Sequence, residues 1–194
     1  GPCVHLGVRV RLPPWAQILI NFMITIISST NRKNSFTKKL ANTYNLLCKE
    51  FNMQSQIFDL QYLPQDFIFS CSYGRSTKEF DELLNKYFLK AEKYIFIIPE
   101  YNGTIPGILK ALIDCADYKS FKSKKVSIVG VSSGRAGNIR GVDHLTSIFH
   151  HLGSEVFNIN PKLSNINLSY KENELIDDKY LELIKNHLNQ FNEY

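Results

Sequence analysis

Short apolar runs alternating with amphipathic stretches constrain this chain more than any other feature. Residues 24–27 (ITII) form such a run, as expected of a strand buried on both faces. Phe36, Leu40, Tyr44, Leu47 and Phe51 then recur at helical spacing. Residues 56–60 predict a second strand, and 67–69 read as either a strand turn or a packed loop. Phe80, Leu83, Leu84, Tyr87, Phe88 and Ala91 mark a second helix. Residues 94–98 (YIFII) are the strongest strand signal, ended by Pro99. A third helix carries Pro106 in its first turn, where a missing N–H costs nothing. Its apolar face is Ile108, Leu109, Leu112, Ile113 and Ala116. Residues 126–131 predict a fourth strand, closed by Ser132, Ser133 and Gly134. Val142, Leu145, Phe149 and Leu152 predict a fourth helix, and 155–157 a last short strand. Ile176, Tyr180, Leu183, Ile184, Leu188 and Phe191 predict the C-terminal helix. Five strands and five helices in strict alternation argue for an α/β fold with a parallel sheet covered on both faces.

Composition narrows the class further. The chain has 194 residues, 44% of them hydrophobic and 21% charged, which fits one globular domain and excludes disorder. Cys3, Cys48, Cys71 and Cys115 are scattered and form no C-x-x-C, so a disulfide scaffold, a zinc ribbon and a thioredoxin-type site are excluded. Residues 1–22 differ from the rest. They contain no acid, carry Arg9 and Arg11, and begin Gly1-Pro2, which reads as the trace of a removed tag. The expected boundaries are a tag or non-native leader over 1–22 and one domain over 23–194. A signal peptide is a rival reading, but its cleavage would remove the first strand; an Arg-rich transit segment is another. No stretch in 23–194 is long and apolar enough to read as a transmembrane helix. A cytoplasmic protein with reduced thiols is expected. The formal net charge is +5, and without 1–22 it is +3, too small to argue for nucleic acid.

In open α/β sheets, ligands bind outside the carboxyl ends of the strands. Three loops there are rich in small and polar residues. The first runs over 28–35 (SSTNRKNS) and leads into a helix. A helix N-terminus with free N–H groups suits a phosphate, and Arg32 adds a charge-assisted donor. The same residues also read as a polar loop in which Asn34 or Ser35 caps the helix. No G-x-G-x-x-G and no Walker loop is present. The second loop, 99–107 (PEYNGTIPG), is stiffened by two prolines; Tyr101 offers an aromatic face and Asn102 a donor and an acceptor. It reads as the lining of a planar heterocycle, or as a stiff turn. The third, 132–138 (SSGRAGN), reads as a close backbone approach to a ligand, or as an ordinary helix start.

Together these loops resemble the NADPH-dependent FMN reductase family, which includes quinone, chromate and azo-dye reductases. Residues 29–35 match its G-S-x-R-x-x-S, residues 99–110 its P-E-Y-N-x-S-x-P-G-x-L-K, and residues 130–138 its third motif. Ser29 and Asn138 stand where that family has glycine. The resemblance implies a flavodoxin-like three-layer sandwich with a five-stranded parallel sheet of order 2-1-3-4-5. It implies FMN as cofactor, with NADPH or NADH as co-substrate. Thr30, Arg32, Ser35, Phe36 and Thr37 match the positions that hold the FMN phosphate. Pro99, Glu100, Tyr101, Asn102 and Gly103 match the isoalloxazine loop, and Ser132, Gly134 and Gly137 the third loop near the ring. It also implies a small-molecule electron acceptor and a homodimer or homotetramer.

The chemistry would reside on FMN, so no catalytic side chain and no metal is expected. The sequence agrees in showing no Ser-His-Asp set and no metal-ligand cluster. His144, His150 and His151 read as surface or subunit-contact residues. Arg135 reads as a contact for NADPH phosphates or an anionic acceptor, or as a solvated loop arginine. The aromatic stretch 67–73 would cap the flavin of its own or a neighbouring subunit. Two other functions stay open at this level: a flavodoxin-type carrier that does not oxidise NAD(P)H, and a binding module without flavin.

Overall fold

The apolar runs form parallel strands, and the amphipathic stretches form helices on both sides of them. The computed structural model describes residues 23–194. The readings of 1–22 lie outside the described residues. In chain order the elements are β1 (Ile24–Ser28), α1 (Phe36–Glu50), β2 (Ser55–Asp59), α2 (Phe67–Ser70), α3 (Lys78–Leu84), β3 (Lys93–Pro99), α4 (Gly107–Cys115), β4 (Lys125–Val131), α5 (Ile139–His151), β5 (Glu155–Val156), β6 (Lys162–Leu163), β7 (Tyr170–Lys171), β8 (Glu174–Leu175) and α6 (Asp178–Glu193). The main sheet has the order β2-β1-β3-β4-β5, and every pair is parallel. This is the flavodoxin-like order.

Alternation along the strands divides the core into two layers. Tyr94, Phe96 and Ile98 face Phe80, Leu109, Leu112, Leu145 and Phe149 of α3, α4 and α5. Ile95 and Ile97 face Leu40, Tyr44, Ile184 and Leu188 of α1 and α6. A strand buried on both faces cannot show polar alternation, which is why these runs are wholly apolar. Cys71 is buried in the first layer, and Cys48, Cys71 and Cys115 are free thiols. Among the described residues, no helix is long and apolar enough to cross a membrane.

Several expectations shift. Pro106 is the N-cap of α4 rather than part of its first turn. Its ψ of 138° is extended, and the helix begins at Gly107. Residues 67–70 form the one-turn helix α2, neither a strand nor a loop. Phe67 is buried and stacks on Phe80, while Phe69 is exposed. The second helix changes to a π-turn over Asn85–Leu89. There the Thr25 hydroxyl donates to the Tyr87 carbonyl and the Gln56 amide to that of Lys86, so the sheet caps the helix end. Ile176 is exposed and precedes α6. The fifth strand is split: β5 pairs with the start of β4 and β6 with its end. Pro161, between them, has no N–H, and its carbonyl accepts from Gly130 N–H at 2.8 Å. The antiparallel β7–β8 hairpin was not expected from the sequence.

A buried histidine locks α6 to the sheet. His187 Nδ1 lies 3.1 Å from the Tyr44 hydroxyl, and Nε2 lies 2.7 Å from the Ser127 hydroxyl. The hydrogen-bond order is that of a nucleophile, base and orienter, but Ser127, His187 and Tyr44 are all sealed in the core. Burial pulls the imidazole pKa down from 6.5 to about 4. Between those values the unfolded chain binds more protons than the folded one. Stability therefore falls as pH drops below 6.5, by up to ~3 kcal/mol near pH 4. Urea midpoints taken at about pH 7.5 and about pH 5 should show this loss, and His187→Gln should flatten it. An equally steep loss in the variant would refute the assignment.

Candidate functional site

The C-terminal ends of β1, β3 and β4 open into one cleft. It is lined by Thr30, Arg32, Asn34, Ser35, Phe36, Thr37, Pro99, Glu100, Tyr101, Val131, Ser132, Ser133 and Ile166. All three loops singled out in the sequence therefore meet there. A larger groove lies elsewhere, between α1 and the β7–β8 hairpin, lined by Leu46, Leu47, Leu175 and Leu181 with Glu50, Glu172 and Glu174. Thr43, Lys171 and Asn173 also line it, but it lies away from the carboxyl ends of the main-sheet strands, where open α/β sheets bind ligands, so the smaller cleft is the candidate site.

One end of the cleft is built to hold an anion. Ser35 is the N-cap of α1, and its hydroxyl oxygen accepts from Lys38 N–H at 3.1 Å. That leaves the Ser35 proton available to a ligand. The backbone N–H groups of Ser35, Phe36 and Thr37 have no acceptor among the described residues. Orphan donors at a helix N-terminus, with the helix dipole behind them, attract negative charge. Asn34 takes a left-handed φ of 54° in the turn before the helix. Thr30 and Arg32 complete this end, and no carboxylate lines it. Ser29 does not need to be glycine: it is fully buried and keeps a negative φ.

Glu100, the one acidic residue lining the cleft, belongs to the loop after β3. Its carboxylate lies 3.8 Å from Arg140 of α5. The tip of this loop is a tight reversal in which Tyr101 and Thr104 exchange backbone hydrogen bonds at 2.9 and 3.1 Å. Asn102 and Gly103 hold φ of 51° and 77° at its centre, as a mirror-image turn requires. His144 Nδ1 lies 2.6 Å from the Thr104 hydroxyl. Arg140 and His144, one helical turn apart, thus clasp the loop from α5.

Asn138 joins the second loop to the third. It is buried, with φ 59°, and caps α5 by accepting from Gly141 N–H at 3.1 Å. Its side-chain amide donates to the carbonyls of Ile98 and Pro99 at 3.2 and 2.9 Å. The substitution of asparagine for glycine keeps the backbone shape and adds a tie that glycine lacks.

Nine expected residues line the cleft: Thr30, Arg32, Ser35, Phe36, Thr37, Pro99, Glu100, Tyr101 and Ser132. Asn102, Gly103, Gly134 and Gly137 do not line it. Asn102 and Gly103 make the turn, Gly134 is exposed, and Gly137 is buried beside Lys162. Asn34, Val131, Ser133 and Ile166 line it without having been expected. The Asn-Gly pair was a readable turn signal; Ile166 comes from a short 3₁₀ turn after β6 and had no local signal. The 67–73 stretch contributes nothing to this cleft, although Tyr73 is exposed. Arg135, His150 and His151 are exposed and also lie outside the lining.

The chain is similar to known proteins over most of its length. An NAD(P)H-dependent FMN reductase of Pseudomonas aeruginosa is 28% identical over 144 residues, covering 70% of this chain and 75% of that protein. A 2-hydroxy-1,4-benzoquinone reductase of a Burkholderia species is 26% identical over 139 residues, covering 70% and 74%. The solved structure of an NAD(P)H:(acceptor) oxidoreductase from Paracoccus denitrificans superposes with a TM-score of 0.72 at 20% identity, covering 89% of this chain and 96% of that one. The pattern of the NADPH-dependent FMN reductase family matches residues 22–164, so the chain belongs to that family.

Proposed function

We propose that this protein is an FMN-dependent NAD(P)H oxidoreductase that passes electrons from a nicotinamide through FMN to a small-molecule acceptor. The acceptor is a quinone, an azo compound, a metal ion or free flavin. The observation that carries this reading is the carboxylate-free donor cradle at the start of α1, set opposite the loop after β3. The donor set fits a phosphate monoester. The free N–H groups of Ser35, Phe36 and Thr37, with Thr30 and Arg32, would hold the phosphate. Pro99, Glu100, Tyr101 and Ser132 would line the path to the ring. FMN held there would supply the hydride-accepting and electron-donating chemistry between nicotinamide and oxidant.

The chain's own task is then to bind and orient. Asn138, Arg140 and His144 hold the ring loop from behind. No acid–base pair is required of the lining. Asn102, Gly103 and Gly137 shape the loops through their left-handed backbone, and with Gly134 they would approach the cofactor through main-chain groups. A homodimer or homotetramer in the cytoplasm belongs to the same proposal. The exposed Phe69 and Tyr73 lie outside this cleft and would be free to cap the flavin of a neighbouring subunit.

Titration with FMN, followed by absorbance and fluorescence, tests the reading together with NADPH oxidation in the presence of a quinone. Saturable FMN binding and steady acceptor-dependent oxidation are expected. A protein that takes up no FMN overturns the proposal. One that binds FMN but oxidises neither NADPH nor NADH would instead be a carrier.

A further inference from the structure

One hydrogen bond crosses the cleft and joins two loops with different expected duties. Thr30 belongs to the anion end, and Tyr101 to the loop after β3. Their hydroxyl oxygens are 2.7 Å apart. The backbone N–H of Arg32 donates to the same Thr30 oxygen at 3.2 Å. Thr30 is fully buried and Tyr101 is half-buried, so this bond is shielded from bulk water.

A threonine hydroxyl has one proton and two lone pairs. Arg32 N–H occupies one lone pair. Two arrangements remain. If Thr30 donates to Tyr101, its proton is engaged and it offers nothing to a ligand. If Tyr101 donates to Thr30, both lone pairs are filled, and the threonine proton has a single direction left. An anion at the helix N-terminus selects the second arrangement, because only that one presents a donor to it. The β-branched side chain has few rotamers, which further limits where the proton can point. Donation by the phenol also polarises the threonine O–H.

We propose that Tyr101 is a positioning residue for the flavin phosphate: by donating to Thr30 it aims the Thr30 proton at a phosphate oxygen. The chain thereby selects a phosphorylated flavin over the same ring without phosphate. This rests on the FMN reading of the cleft, and it gives Tyr101 a duty at the phosphate end as well as beside the ring.

The test measures dissociation constants of both FMN and riboflavin for the full chain and its variants. Wild type is expected to prefer FMN. Tyr101→Phe should weaken FMN about fivefold and leave riboflavin within about twofold. Thr30→Val, which removes the proton, should weaken FMN about tenfold, again with riboflavin little changed. The double variant should be no weaker than Thr30→Val alone, because Tyr101 acts through Thr30. Thr30→Ser keeps the proton and should keep the preference. Equal weakening of both flavins by Tyr101→Phe overturns the proposal, since a purely structural or ring-stacking role moves both. Unchanged FMN affinity in Tyr101→Phe, or additive losses in the double variant, also overturns it. A wild type that binds riboflavin as tightly as FMN removes the selection itself. A wild type that binds neither overturns the FMN reading, and this inference with it.

Discussion

Gly130→Ala is expected to lower stability by ~4 kcal/mol, since an added methyl there meets the tightest contact found at any described glycine. Gly130 sits in β4 on the face that α5 covers, in register with Val126 and Ile128. A Cβ there would lie 2.2 Å from the Gly137 carbonyl oxygen and 2.9 Å from a methyl of Val142. The first contact is with backbone, so no rotamer change relieves it. Gly137 has no room to retreat, because it packs against the backbone of Lys162 in β6. Its N–H is also tied to the Ser132 hydroxyl at 3.0 Å. Either β4 or the third loop must move, and both border the cleft. Urea denaturation checks this, and a variant within about 1 kcal/mol of wild type would show that the loop relaxes freely.

Asn138→Ala should cost ~3 kcal/mol, from three sources. Alanine loses the cap on Gly141, leaves the Ile98 and Pro99 carbonyls without their amide donor, and is strained at φ 59°. Asn138→Gly separates these. Glycine accepts the left-handed backbone at no steric cost, so it should recover ~1 kcal/mol relative to alanine. Asn138→Asp should be at least as damaging as alanine, since it turns a carboxylate towards two carbonyl oxygens. Thermal unfolding of the three variants gives the order, and a glycine variant no better than alanine would remove the backbone contribution.

The sequence disclosed some elements far better than others. α1 was readable because its buried residues, Leu40, Tyr44 and Leu47, repeat at helical spacing on the face turned to the sheet. β3 was readable because both of its faces are covered, which leaves no polar gap. β6 and the β7–β8 hairpin were not, since two-residue strands carry no period and owe their position to distant partners. His187 is equally silent in the sequence. Its partners Tyr44 and Ser127 are 143 and 60 residues away. The cleft was legible as three loops because topology alone delivers strand ends to one edge. The duties of individual residues were harder to read. Gly137 and Asn102 look like ligand contacts in the sequence; the structure gives both a left-handed backbone and sets them outside the cleft lining. Which of two small residues touches a ligand depends on orientation, and composition does not encode that.

The broken fifth strand has a consequence for how copies of this chain meet. An intact outer strand presents a row of free N–H and C=O groups and is a template for unwanted pairing. Here that rim offers only two short pieces, Glu155–Val156 and Lys162–Leu163, with Pro161 in the interval. The carbonyl of Pro161 already turns inward to Gly130. A foreign strand laid along this side would find its ladder interrupted before it could lengthen. The irregularity that seats the third loop of the cleft therefore also makes this edge, unlike the unbroken β2 edge opposite, a poor template for strand addition.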